Sequence, residues 1–123
     1  GMNKSGNAVK EFCINQGLLL SNVHVIVDDI DLPLGKLRIR PKGGDGCHRG
    51  MESIIYQNRD NNFPRIRFGI AVGSKLRPSE QYVLKDFKKS DQNLADEMII
   101  RAADAAELIF EDGLNKAMNK YNA

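Results

Sequence analysis

The residues with most chemical capacity fall in two runs. Asp28-Asp29-Ile30-Asp31 places three carboxylates within four residues. Such a cluster can bind a metal, orient a histidine or act as a base. It can equally form a solvated turn whose aspartates bond their own backbone. The second run, Gly43-Gly44-Asp45-Gly46-Cys47-His48-Arg49-Gly50, is glycine-rich and leads into a helical pattern. Glycines let a backbone approach a phosphate, and a helix N-terminus favours an anion. No Gly-Lys-Ser/Thr follows, so this is not a Walker A loop, and it does not fit GxGxxG after a strand. Lys42 and Arg49 flank the loop and favour a phosphate partner. Asn3, at the entry to the first helical pattern, reads on its own as a cap.

The chain has two histidines, His24 and His48, and two cysteines, Cys13 and Cys47. The cysteine spacing fits no disulfide framework, which predicts free thiols in a reducing, cytoplasmic setting. Without clustered ligands no zinc site is expected, and no cofactor is implied. Charge is uneven. Between Lys36 and Arg67 lie eight basic and three acidic residues; from Ser79 onward there are six basic and nine acidic ones. A basic middle suggests one positive face and a polyanionic partner. The other reading is a solvated sheet face. No apolar run reaches the 18 residues of a membrane span.

These groups need elements to hold them. Val9, Phe12 and Cys13 give a helical period over 8–16, with Ser5 as N-cap and Gly17 as stop. Val23–Val27 is β-branched and apolar, as in a strand buried on both faces, and it ends at the Asp28–Asp31 turn. Such a strand needs two neighbours, so the chain reads as part of a larger sheet with an exposed edge through which it could form a homodimer. Lys36–Arg40 alternates strictly, with Leu37 and Ile39 on one face and Lys36, Arg38 and Arg40 on the other. A helix over 48–57 carries Met51, Ile54 and Ile55 on one face. A strand covers 66–72, and an extended piece lies around Tyr82-Val83-Leu84. Ser90 caps a helix to Asp112 whose stripe is Leu94, Met98, Ala102, Ala105 and Ile109, with Ile99, Ala106 and Phe110 beside it. A short helix follows Gly113. The fold class is α/β, a single domain over 2–123 with a mixed sheet flanked by helices. Gly1 reads as a tag scar.

Together these runs resemble a family. Val27-Asp28-Asp29-Ile30-Asp31-Leu32-Pro33-Leu34-Gly35 is similar to the peptidyl-tRNA hydrolase motif His-Asp-Asp-Leu-Asp-Leu-Pro-x-Gly. Gly43–Gly50 is similar to its Gly-Ser-x-Gly-Gly-His-Asn-Gly. Phe63-Pro64-Arg65-Ile66-Arg67-Phe68-Gly69-Ile70 resembles its Arg-Leu-Arg-Ile-Gly-Ile strand. Met2-Asn3-Lys4-Ser5-Gly6 matches Phe-Met-Asn-x-Ser-Gly, and Tyr82-Val83-Leu84 and Gly113–Asn119 also fit. The resemblance runs through essentially the whole chain, in order.

The resemblance implies part of a three-layer, phosphorylase/hydrolase-like fold. It implies hydrolysis of the ester between a peptide and tRNA, without metal, by a water that an aspartate-held histidine activates. Asp28 matches the aspartate that orients that histidine. Asn3, His48 and Arg49 fall at substrate-binding positions, and Lys36, Arg38, Arg40 and Lys42 would face tRNA phosphates. The partner expected is tRNA or peptidyl-tRNA, and no membrane. Three departures stand out. The family's Gly-x-Gly-Asn-Pro-Gly and Thr-Arg-His-Asn runs, the latter with the catalytic histidine, do not occur in these residues. Arg49 stands where the family has a functional asparagine, and Val27 replaces its histidine. The expectation is an N-terminally truncated, inactive or weak hydrolase. The alternative is a non-catalytic RNA-binding relative.

Overall fold

The computed structural model describes residues 4–46, 48–71 and 89–122. The elements run α1 (Ser5–Gln16), a 3-10 turn (Leu20–Asn22), β1 (Val25–Pro33), β2 (Leu37–Arg40), α2 (Arg49–Asn58), β3 (Arg65–Ala71), α3 (Lys89–Asp112) and α4 (Leu114–Tyr121). Their order is the one the sequence predicts. The extended piece expected around Tyr82-Val83-Leu84 lies outside the described residues.

The three strands form one sheet in the order β1-β3-β2. The N–H of Val25 donates to the Pro64 carbonyl, and that of Leu34 to the Ala71 carbonyl, so β1 and β3 run the same way. The N–H of Gly69 donates to the Lys36 carbonyl (2.9 Å), and Gly43 donates to Asn61, so β2 runs against β3. The sheet is therefore mixed, as expected.

The first compact unit comprises residues 1–27 and 40–65. α1 packs on α2 here: the N–H of Gly6 donates to Ser53 Oγ (2.9 Å), and Asn58 Nδ2 donates to the carbonyls of Gly6 and Ile54. Their shared core is Val27, Met51, Ile54 and Phe63, with Val9, Leu20, Val25 and Ile55 against it. Gly17 ends α1 as predicted, its N–H closing on the Cys13 and Ile14 carbonyls. Ser5 does not cap α1. Lys4 holds that position, and Ser5 is the first helical residue.

The second unit comprises residues 28–39 and 66–123. Its core is the dry face of the sheet on the α3 stripe: Leu37, Ile39 and Ile66 with Met98, Ala102, Ala105, Ile109 and Ala117. A fully buried aliphatic side chain contributes about 1.5–3 kcal/mol. Alternation in β2 therefore fixes which face turns inward; a one-residue slip would drive its arginines into the core. Ala106 packs beside the stripe, but Phe110 is 87% exposed. Ser90 lies within α3 rather than ahead of it.

β1 departs most from expectation. It is an edge strand of this sheet, and Ile26 is 43% exposed, so it is not buried on both faces. Nor does it stop at Asp28. The three aspartates lie inside the strand, which continues to Pro33. Within it the N–H of Asp31 turns to Asp29 Oδ1 (2.8 Å), and the buried positions Val27 and Ile30 fall three apart, which breaks the strict alternation of a strand. Toward its end β1 lies close against β3. A Cβ on Gly69 would run into the carbonyl oxygens of Leu32 and Pro33, so only glycine fits there.

Candidate functional site: a basic sheet face and a glycine loop

In the second unit, the bond from Gly69 to Lys36 sets the register of β2 on β3 and places Arg38 opposite Arg67. Both side chains stand on the face away from the core. Like charges opposite one another on a sheet are disfavoured unless an anion lies near. Part of that compensation comes from β1, where Asp29 Oδ2 lies 4.0 Å from Arg67 Nη1; these side chains are 15% and 11% exposed. Arg38 Nε is buried and makes no hydrogen bond among the described residues. Lys36 is exposed at the start of the strand, and Asp28 is half-buried directly before Asp29.

The first unit contains the glycine loop. Its anchor is Arg65, 1% exposed. The guanidinium donates from Nε to the Phe63 carbonyl (3.1 Å), from Nη1 to Gly43 (3.0 Å) and Gly44 (2.8 Å), and from Nη2 to Asn61 (2.9 Å). It also lies 4.4 Å over the Phe63 ring. Gly43 has φ 151°, a conformation that suits glycine and presents its carbonyl to the arginine. The loop is thus held by its backbone. It leads into α2, where His48 is the N-cap, its Nδ1 accepting from the Met51 N–H (3.2 Å). Arg49 opens α2 and is exposed, as are Arg40 and Lys42. His24 is half-buried just ahead of β1, and burial lowers its pKa below the usual imidazole range. Among the described residues no group of three histidine, cysteine or acidic side chains is placed to hold a metal. No helix among them is long and apolar enough to cross a membrane.

The structure therefore sorts the residues picked from sequence. Asp28, Lys36 and Arg38 belong to the sheet unit. Arg40, Lys42, His48 and Arg49 belong to the loop unit. Asn3 lies outside the described residues. Sequence reasoning missed Arg67 and Asp29 as partners in the basic face, and it counted Arg65 among the free charges. The signal for Arg67 was available: Arg65-Ile66-Arg67-Phe68 alternates, which puts both arginines on the face away from Ile66. Nothing local distinguishes the fully buried arginine from the partly buried one.

The comparisons with known proteins agree with one another. The sequence model of the Peptidyl-tRNA hydrolase family matches residues 1–123. The chain is 46% identical over 121 residues to a peptidyl-tRNA hydrolase of Thermoanaerobacter sp. (strain X514), covering 98% of this chain and 65% of that protein. It is 42% identical to one of Desulforudis audaxviator (strain MP104C), covering 99% of this chain and 61% of the other. The crystal structure of peptidyl-tRNA hydrolase from Acinetobacter baumannii superimposes with a TM-score of 0.85 at 29% identity, over 99% of this chain and 62% of that one. The chain thus spans slightly under two thirds of the length of these relatives.

Proposed function

The chain belongs to the peptidyl-tRNA hydrolase family, and on that premise we propose that it engages the tRNA part of peptidyl-tRNA through its basic sheet face. The observation that carries this reading is the cross-strand pair Arg38 and Arg67. Two guanidiniums opposite each other, one with a buried Nε lacking a hydrogen bond, suit a phosphate that accepts from both. Lys36 and Arg40 continue the charge along β2, and Lys42 and Arg49 supply it at the glycine loop. Phosphate contacts dominate affinity for nucleic acid and make it salt-dependent.

The reaction in this reading is attack of water on the ester carbonyl that joins peptide to tRNA, releasing the peptide acid and the tRNA hydroxyl. Asp28 is the candidate to orient an activating histidine. Neither histidine of these residues suits that base. His48 commits Nδ1 to the Met51 amide, and His24 precedes β1 in a position that the resemblance does not match to catalysis. Arg49 offers only donors where the family has an amide that also accepts. General base catalysis contributes roughly 10²–10⁴ in rate, so these 123 residues alone are proposed to bind tRNA and hydrolyse the ester slowly. Self-association through the edge of β1, where Ile26 is exposed, would be a secondary property.

The test is fluorescence anisotropy with labelled tRNA at several salt concentrations, alongside single-turnover cleavage of a peptidyl-tRNA. The expected result is binding that weakens as salt rises, with cleavage far below that of a full-length relative. Binding indifferent to salt would remove the phosphate reading. Cleavage at the rate of a full-length relative would show that a residue of this chain supplies the base.

A further inference from the structure

We infer that Asn122 is a positioning residue for the basic strand, a single side chain that takes the place of a pairing strand on the edge of β2 that no described strand covers. The inference rests on the phosphate-facing role proposed above. Among the described residues β2 is an edge strand, with β3 on one side only. The register that pairs Gly69 with Lys36 makes 36 and 38 the positions bonded to β3. Ile39, between Arg38 and Arg40, therefore turns its own N–H and carbonyl outward, to the open edge. Both are taken by one side chain. The Ile39 N–H donates to Asn122 Oδ1 (2.7 Å), and Asn122 Nδ2 donates to the Ile39 carbonyl (2.9 Å). A primary amide has the donor–acceptor pair of a peptide group, which a carboxylate or hydroxyl cannot reproduce in that geometry. Asn122 is itself fixed, because it caps α4 with its N–H on the Met118 carbonyl (2.9 Å), and α4 is seated in the core by Ala117. The path thus runs from the core through α4 and Asn122 to the backbone that carries Arg38 and Arg40.

The clasp has two consequences. It occupies edge groups of β2 that could otherwise pair with another chain. It also holds the two arginines at one height and twist, so that phosphate binding need not first order the strand.

The test uses the full chain with Asn122→Ala and Asn122→Asp, the tRNA anisotropy assay, and amide exchange at Ile39 by NMR. Asn122→Ala is expected to speed exchange of the Ile39 amide at least about 10-fold relative to the rest of β2. It should weaken tRNA binding about 3- to 10-fold. Asn122→Asp keeps the acceptor for the Ile39 N–H, so the amide stays protected while the carbonyl bond is lost, and binding falls between the two. In an Arg38→Ala/Arg40→Ala background the Asn122→Ala change should cost no further affinity. An equal loss in both backgrounds would mean that Asn122 supports the fold generally, and would overturn the inference. Unchanged exchange at Ile39 would overturn the clasp itself. Absence of tRNA binding by the parent chain would instead sink the phosphate reading, with the exchange result still reporting on the clasp.

Discussion

Arg65 and Arg67 stand two residues apart on one face of β3, yet they belong to opposite kinds of region. Arg65 is enclosed, and all of its described hydrogen-bond acceptors are backbone carbonyls of the glycine loop and its surroundings. Arg67 sits in the sheet unit opposite Arg38, with Asp29 at 4.0 Å. The first arginine organises a loop and can take part in no ligand contact without releasing it. The second belongs to the face proposed above to receive one. Charge in a sequence therefore divides into charge that binds the chain to itself and charge that remains to bind something else. Only packing separates the two.

The sharpest way to break this contrast is to exchange the roles. Arg65→Lys keeps the charge but cannot reach carbonyls in several directions from one planar group. Buried acceptors left unsatisfied cost about 1–3 kcal/mol each, so the expected loss is about 3 kcal/mol or more, read from urea unfolding. A stability equal to the parent would show that the loop does not depend on the guanidinium. Arg67→Gln should do the reverse. Its stability should stay within about 0.5–1 kcal/mol of the parent, since the change relieves a like-charge pair while losing an acid partner. Its tRNA affinity should fall about 5- to 10-fold, with a salt slope smaller by roughly one. A large stability loss with unchanged affinity would place Arg67 in the structural class with Arg65.

Two smaller effects refine the loop side. His48→Ala removes the α2 cap and should cost about 1 kcal/mol, measured by thermal unfolding, while His48→Asn should restore most of it. His24 tests the pH response. Its pKa is lowered by burial in the folded chain, so the unfolded chain binds more protons there than the folded one. Its contribution is neutral above the ordinary imidazole pKa of about 6.5. Stability should decline as pH falls from there through the lowered folded value, and His24→Gln should flatten that decline. An unchanged slope in the variant would assign the acid response to other groups.

The element order was legible because the apolar periods were strong. Leu37 and Ile39 in β2, and Met98, Ala102, Ala105 and Ile109 in α3, are buried where the alternation and the helical stripe place them. Three things were not legible. The Asp28–Asp31 run reads as a turn because three acids rarely favour a strand, yet the strand continues through it with a local Asp31–Asp29 bond. The burial of Arg65 depends on carbonyls from residues 43, 44 and 61, which no local pattern reports. The bond between Ile39 and Asn122 spans 83 positions. Of the site, the glycine loop and the arginines of β2 were visible as motif and charge, while Arg67 and Asp29 as partners required the register of the sheet.

The anchoring of the glycine loop also bears on how this region can change over evolutionary time. An arginine that grips carbonyls is blind to the side chains those carbonyls belong to. Gly43 and Gly46 have backbone conformations that suit glycine, and Arg65 itself has no freedom, whereas the grip makes no demand of its own on the side chains of the other loop residues. The surface chemistry of the loop, Arg49 included, is thus set apart from the backbone grip that holds the loop in place.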